Sequence, residues 1–62
     1  MKVIIHTVDQ TTGIETFDRE GELEDLMKYE VELMVDVAFQ LGRDGKAVVG
    51  GGAAQLFYIR PA

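Results

Sequence analysis

The chain has no cysteine among its 62 residues, and this limits how a fold of this length can be stabilised. A domain of this size buries only about 60% of the surface that its unfolded chain exposes, so its core alone gives a thin margin over conformational entropy. Small domains usually gain further stability from disulfides, a structural metal or association between copies. Without cysteine, disulfides and most zinc sites are excluded. We therefore expect one domain, residues 1–62, that forms a homo-oligomer (a dimer or larger) and holds no metal or cofactor.

The net charge of −5 is concentrated in one segment. Residues 18–36 hold eight acidic residues against only Arg19 and Lys28, a balance of −6, whereas the rest of the chain carries +1. The molecule is therefore expected to have an acidic face and a mildly basic one. Direct nucleic-acid binding is not expected, because phosphate contacts need a basic surface.

The sequence predicts a cytoplasmic protein without membrane contact. No stretch approaches the roughly 20 apolar residues that span a bilayer, and the apolar run after Lys2 is too short for a secretory signal peptide. The lack of cysteine also fits a reducing compartment. An accessory protein of a phage is one interpretation of such a short acidic chain.

Two strands and a hairpin are predicted at the start of the chain. Residues 2–8 are rich in β-branched side chains, and residues 14–17 return as a short strand. Between them, the segment Asp9–Gly13 has the small polar residues and the glycine of a turn, with Gly13 able to adopt a positive φ.

A helix of about 22 residues is predicted next. Asp18 is a plausible N-cap, acidic residues follow where the helix dipole favours them, and Gly42 and Arg43 have the properties of a helix C-terminus. Apolar residues recur every three or four positions, as expected for a buried stripe: Leu23, Leu26, Met27, Val31, Met34, Val35, Ala38 and Leu41.

Residues 31–41 also fit a strand, because apolar and other residues alternate strictly there. Val31, Val35 and Val37 lower the helix propensity of this stretch. The helix is favoured because the spacing of three and four residues begins at Leu23, before this stretch, and is followed by Gly42 and Arg43, which are typical of a helix C-terminus. The strand remains the alternative.

Two further strands are predicted in residues 46–49 and 53–60, on either side of Gly50–Gly52. The result is an α+β domain of order ββαββ, with one long amphipathic helix packed on a small, mainly antiparallel sheet. A helix of about 33 Å would extend beyond strands of about 20 Å. This overhang also favours a dimer or larger assembly.

The sequence offers few groups for catalysis, and no catalytic residue is predicted. Serine, cysteine and asparagine are absent, and His6 is the only histidine. His6 and Asp9 lie three positions apart, which places them on opposite faces of a strand. The carboxylate pairs Glu20 with Glu24 and Glu32 with Asp36 are expected on a solvated helix face.

Gly50–Gly52 is the most unusual local feature. One interpretation is a tight turn, or a place where another part of the backbone approaches closely. The other is an anion site for a nucleotide-like ligand, in which the glycine N–H groups act together with Arg43, Lys46 and Arg60. The lysine of a P-loop does not follow the glycines, so no known phosphate motif is matched.

Four residues are predicted to form interfaces, because aromatic and large apolar side chains are common in contact surfaces. Two are on the helix and two on the last strand: Tyr29, Phe39, Leu56 and Tyr58. For Tyr29, Phe39 and Leu56, a position in the core is the alternative.

The length and the strand-helix-strand order resemble small tautomerase subunits, which assemble as oligomers and use an amino-terminal proline as a base. Here Lys2 follows Met1 and the only proline is Pro61. The residue on which that activity depends is missing, so the activity is not carried over.

Three functions follow from these features. The first is a non-catalytic, homo-oligomeric protein-interaction module of accessory or inhibitor type. The second is a binder of a small anionic, nucleotide-like ligand at the glycine turn. The third is an acidic mimic of nucleic acid that blocks a basic site on another protein.

Overall fold

The computed structural model describes residues 1–50 and 55–62. Its elements are β1 (Lys2–Val8), β2 (Glu15–Glu22), α1 (Leu23–Leu26), α2 (Val31–Asp44), β3 (Ala47–Val49) and β4 (Leu56–Pro61). The four strands form one antiparallel sheet in the order β2-β1-β4-β3. The α+β prediction is confirmed, with one main helix and one short one on the sheet.

The β1–β2 hairpin closes through a turn organised by Asp9. The Asp9 carbonyl accepts the Gly13 N–H at 2.7 Å, and the Asp9 carboxylate accepts the N–H groups of Thr11 at 2.8 Å and Thr12 at 3.1 Å. The two bonds from backbone N–H groups to the carboxylate lower the pKa of the Asp9 carboxyl, and the bond from Thr12 has the larger effect. Gly13 has a φ of 77°, a conformation that glycine adopts without steric penalty. The hairpin prediction is confirmed.

β2 continues past its predicted end, so the interpretation of Asp18 as a helix N-cap is wrong. Asp18 is instead the extra residue of a β-bulge. Phe17 pairs with His6 and Arg19 pairs with Ile5, which leaves Asp18 without a partner in β1. Pairing with the β-branched strand β1 keeps this polar segment extended, and tertiary context of this kind overrides a weak local preference for a helix start.

The predicted single long helix is two helices. α1 ends at Leu26 and α2 begins at Val31. Residues 31–41 are helical, so the strand alternative is wrong. With 14 residues, α2 is about 21 Å long, no longer than β1 at about 23 Å. The predicted overhang is therefore absent, and the argument for a dimer that depended on it no longer applies.

The C-terminus of α2 lies beyond the predicted position. Gly42 is inside the helix, and the left-handed residue after it is Gly45, with a φ of 74°. The Gly45 N–H donates to the Leu41 carbonyl at 3.0 Å. Arg43 lies in the last turn, where a positive charge complements the helix dipole.

The core lies between the two helices and one face of the sheet. Val3, Val37 and Ile59 are the largest fully buried side chains. The buried cluster comprises Val3, Ile5, Leu23, Met27, Val37, Leu41, Ala47 and Ile59. Within the described part of the chain, no helix is long and apolar enough to cross a membrane.

Candidate functional site

α2 has a second apolar surface on the side that points away from the sheet. Val37 is fully buried, whereas Val31, Val35 and Phe39 are 59%, 60% and 63% exposed. Residues four apart are neighbours on a helix surface, so these three form one ridge. Ala38 is exposed beside them. We name Val31, Val35, Ala38 and Phe39 the helix face.

Three of the four charged residues of α2 occupy a narrow part of its surface. At about 100° per residue, Glu32, Asp36 and Arg43 fall within one sector of about 40°, whereas Asp44, the last residue of the helix, lies outside it. The Arg43 guanidinium bonds to Asp44 at 2.6 Å and lies 5.4 Å from the centre of the Phe39 ring. A helix that is apolar around most of its circumference is normally covered on both sides. The helix face therefore has the character of a contact surface.

The exposure of the helix face was not predicted from the sequence. Val31 and Val35 are predicted to lie in the buried stripe, but the structure exposes them and buries Val37. The break between α1 and α2 changes which residues of α2 point inward. A signal was present, because Leu33, Val37 and Leu41 also repeat every four residues and form the ridge that meets the core.

The four predicted interface residues do not form one surface. Phe39 belongs to the helix face, whereas Leu56 and Tyr58 lie on β4 and point away from the helices. Tyr29 lies between α1 and α2 and is 88% exposed. Its ring centre is 5.1 Å from the Lys28 ammonium.

The face of the sheet opposite the core has no helix packed on it in the described part of the chain. We name it the open sheet face. Across it, Phe17 pairs with His6, His6 with Tyr58, and Tyr58 with Val48. Three rings therefore stand in a row on three neighbouring strands. The rings of His6 and Phe17 meet edge to face, with centres 6.2 Å apart.

Two cations lie over the ring of Tyr58. The Lys46 ammonium is 4.5 Å and the Arg60 guanidinium carbon 5.4 Å from its centre. Arg60 also bonds to Glu15 at 2.8 Å, across the open sheet face. This bond lowers the pKa of the Glu15 carboxyl and raises that of the Arg60 guanidinium. The open sheet face thus combines aromatic rings with charges of both signs, since its cross-strand neighbours also include Lys2 with Glu22 and Ile4 with Glu20.

His6 does not pair with Asp9. The carboxylate of Asp9 accepts the N–H groups of Thr11 and Thr12. The Nδ1 atom of His6 is buried and has no hydrogen-bond partner among residues 1–50 and 55–62. A histidine base oriented by a carboxylate is therefore not assembled in the described structure.

The acidic residues considered as pairs are separated or solvent-exposed. Glu20 lies in β2 and Glu24 in α1, so they do not share a helix as predicted. Glu32 and Asp36 share the exposed side of α2, as expected. The described residues include no group of three histidine or acidic side chains placed to hold a metal ion.

Gly50 meets its own chain closely. Its φ is 134°, and a Cβ added to it would lie 2.5 Å from the Gln55 carbonyl oxygen and 3.0 Å from the Leu56 Cα. Close backbone approach is thus the observed reason for a glycine at this position. Gly51 and Gly52 lie outside the described residues.

The three basic residues of the predicted anion site are not all on one surface. Lys46 and Arg60 meet at Tyr58 on the open sheet face. Arg43 lies on α2, where it contacts Phe39 and Asp44. Only Lys46 and Arg60 therefore remain as a basic pair.

A cavity of about 210 Å³ lies between the helices and the sheet. Its lining includes the apolar residues Ile5, Leu33 and Phe57, and the ion pair of Arg19 with Asp18 at 3.0 Å. Ligand pockets usually have volumes of about 300–1,000 Å³. The cavity is below this range and offers few polar groups to orient a ligand.

No protein-family model, curated protein or solved structure matches this chain. Two surfaces of the described residues stand out by their own chemistry. These are the helix face, which is apolar, and the open sheet face, which carries aromatic rings and charges of both signs.

Proposed function

We propose that the protein is a non-catalytic, homo-oligomeric protein-interaction module that self-associates through the helix face. The observation that carries this proposal is the exposure of Val31, Val35 and Phe39 on the outer side of a helix whose inner side is already buried. A domain of 62 residues buries relatively little apolar surface in its core. Apolar residues that point outward in such a domain are therefore best explained by contact with a partner surface.

The apolar burial that the helix face offers is of the same order as the cost of association. Complete burial of a valine or phenylalanine side chain contributes about 1.5–3 kcal/mol. Since about 60% of each is exposed, the three large residues contribute roughly 3–5 kcal/mol per copy and 6–10 kcal/mol for a symmetric pair. Association costs about 4–15 kcal/mol. The assembly should therefore depend on concentration.

The shape and charge of α2 favour an antiparallel pair. Ridges of residues four apart on two helices interdigitate at a crossing angle of about −50°, and the small side chain of Ala38 allows close approach. Antiparallel pairing brings the N-terminal half of one copy to the C-terminal half of the other. Glu32 and Asp36 of one copy then lie at the same rim as Arg43 of the other, and Glu32 with Arg43 is an attractive pair along that rim.

The test is the oligomeric state measured by native mass spectrometry and sedimentation equilibrium from micromolar to millimolar concentration. Val35→Glu places a charge in the middle of the helix face and should give a folded monomer. Ile14→Glu is the matched control, because Ile14 is 64% exposed but lies outside α2. It should associate as the unmodified protein does.

The charge arrangement has its own test. Arg43→Glu should weaken the dimer, and the double variant Glu32→Arg with Arg43→Glu should restore it, because the pair of charges is exchanged. A monomer at millimolar concentration, or a Val35→Glu variant that associates normally, would show that the helix face is not the contact surface.

A further inference from the structure

The two edges of the sheet differ in what covers them. At β3, the side-chain amide of Gln40 bonds to both backbone groups of Val48. At the other edge, β2 pairs with β1, and the described residues provide no further strand beside it. With eight residues, β2 is longer than the usual strand of about five or six. Its outer side presents backbone groups with which an extended chain can pair.

The cavity between the helices and the sheet opens beside this edge. Its lining includes Asp18 and Arg19 of β2, together with Leu26 of α1 and Glu30, the residue before α2. Consecutive residues of a regular strand point to opposite faces, but the bulge at Asp18 lets both line the cavity. Arg19 and Glu30 are exposed, so the mouth of the cavity lies between β2 and the segment that joins α1 to α2.

The volume of the cavity suits a single side chain. A cavity of about 150 Å³ is large enough for benzene, and this one has about 210 Å³. Seven of the ten described residues that line it are apolar, among them Leu26, Leu33 and Phe57. It can therefore hold one phenylalanine or leucine side chain of a segment that lies along β2.

The charge of β2 favours a basic partner, because the strand carries four acidic residues and one basic residue. On the open sheet face, Glu15 bonds to Arg60 at 2.8 Å, and Glu22 lies beside Lys2 and bonds to the N-terminal ammonium at 2.9 Å. Glu20 lies between them and forms no ion pair with another described residue. Full antiparallel pairing of two β2 strands would place Glu15 of each copy opposite Glu22 of the other, which is unfavourable.

We propose that β2 binds an extended basic segment of another protein as a fifth strand of the sheet. Apolar and basic side chains alternate in this segment. The apolar ones point to the helix side, where one enters the cavity, and the basic ones point to the open sheet face beside Glu20. Main-chain pairing at an edge, with a pocket for an alternate side chain, is the pattern of strand-addition recognition. The surface uses no residue of the helix face and goes beyond the proposed self-association.

The probe is a short capped peptide of sequence KVKFKVK. NMR of the protein should show saturable shifts and slowed hydrogen exchange at backbone amides within Glu15–Glu22. The Val48 amide, at the edge that Gln40 closes, should not change. Binding should weaken as salt is added, because exposed charges are screened.

Two control peptides separate the parts of the site. Replacing the central phenylalanine with alanine should weaken binding by about tenfold or more, because the side chain that fills the cavity is lost. The peptide KKKKVFV has the same composition but cannot place its cations and apolar side chains on opposite faces of a strand. It should bind roughly fivefold more weakly or less well still.

A matched pair of protein variants tests the charge. Glu20→Gln should weaken binding of KVKFKVK roughly two- to fivefold, because a cross-strand charge pair is lost. Asp25→Asn removes the same charge from α1, where Asp25 is exposed and outside the cavity lining. This variant should bind the peptide normally.

Three results would overturn the proposal. These are the absence of shifts in Glu15–Glu22 at millimolar peptide, equal affinities for KVKFKVK and KKKKVFV, and an equal loss in Glu20→Gln and Asp25→Asn. Dissociation of the oligomer by the peptide would also contradict it, because β2 would then be the contact between copies. Val35→Glu separates the two proposals, since a monomer that still binds the peptide supports the β2 site whatever the role of the helix face.

Discussion

The side-chain amide of Gln40 forms the two hydrogen bonds with the Val48 backbone that a neighbouring strand would otherwise form. Its Oε1 accepts the Val48 N–H at 3.0 Å, and its Nε2 donates to the Val48 carbonyl at 3.3 Å. Val48 is the middle residue of β3, which forms one edge of the sheet. Edge strands usually leave such groups free to pair with another chain. Gln40 therefore closes this edge of the sheet at Val48, whereas β2 forms the other edge.

Gln40→Ala is expected to destabilise the protein by about 1–2 kcal/mol, because two hydrogen bonds are lost and the Val48 groups are left to water. The free energy of unfolding in urea measures the loss, and hydrogen exchange should show faster exchange at the Val48 amide. Gln55→Ala, which removes another exposed glutamine amide, is the control. An unchanged exchange rate at Val48 would contradict the role given to Gln40.

Alanine substitutions at Gly50, Gly45 and Gly42 should change the stability of the protein by different amounts, because the backbone conformation and the space at the three positions differ. Gly50→Ala should be the most damaging, by about 1–3 kcal/mol or more, because a positive φ and a close backbone contact both oppose a side chain there. Gly45→Ala meets no atom within 4 Å and carries only the cost of its φ of 74°. Gly42→Ala, within α2 and without a neighbour, should stabilise by about 0.5–1 kcal/mol. Urea unfolding gives the order, and any other order would contradict this assignment.

The extent of β2 could not be read from the sequence. Its residues from Glu15 to Glu20 are all exposed, so no apolar alternation marks them as a strand. Glu20 and Glu22 also suit the first turn of a helix. What holds them in a strand is the pairing with β1, with the bulge at Asp18, and such pairing depends on tertiary structure.

The helical state of residues 31–41 could be predicted, but its orientation could not. One ridge contains Val31 and Val35, and the other contains Leu33, Val37 and Leu41. Both are apolar, so the pattern alone does not show which one meets the sheet. The placement of α2 on β3 and β4 selects the second ridge.

The apolar character of β4 on both faces was visible in its sequence, and the structure places Phe57 against the core and Tyr58 on the open sheet face. The row that Tyr58 forms with His6 and Phe17 was not visible. It depends on the register of three strands that are distant in sequence. Register is set by the assembled sheet, and one-residue shifts would move each ring to the other face.

Val37 and Val35 test the orientation of α2. Val37→Ala should destabilise the monomer by about 1–3 kcal/mol, because it leaves a cavity in the core, whereas Val35→Ala should leave the monomer stability nearly unchanged and weaken self-association. Thermal unfolding at low protein concentration measures the first effect, and sedimentation measures the second. Equal effects of the two substitutions on unfolding would mean that α2 presents a different face to the sheet.

The bond from Arg60 lowers the pKa of Glu15 below its ordinary value of 4.5. A carboxyl with a lowered pKa in the folded state contributes stability that is present above its unfolded pKa and is lost as the pH falls through the folded value. Arg60→Gln should therefore return the Glu15 midpoint toward 4.5, and its destabilising effect should be present at neutral pH and shrink in acid. Carboxyl-carbon NMR titration gives the midpoint, with Asp9 as an internal control because backbone N–H groups lower its pKa. A Glu15 midpoint that does not move, or one that moves together with that of Asp9, would show that the Arg60 bond is not its cause.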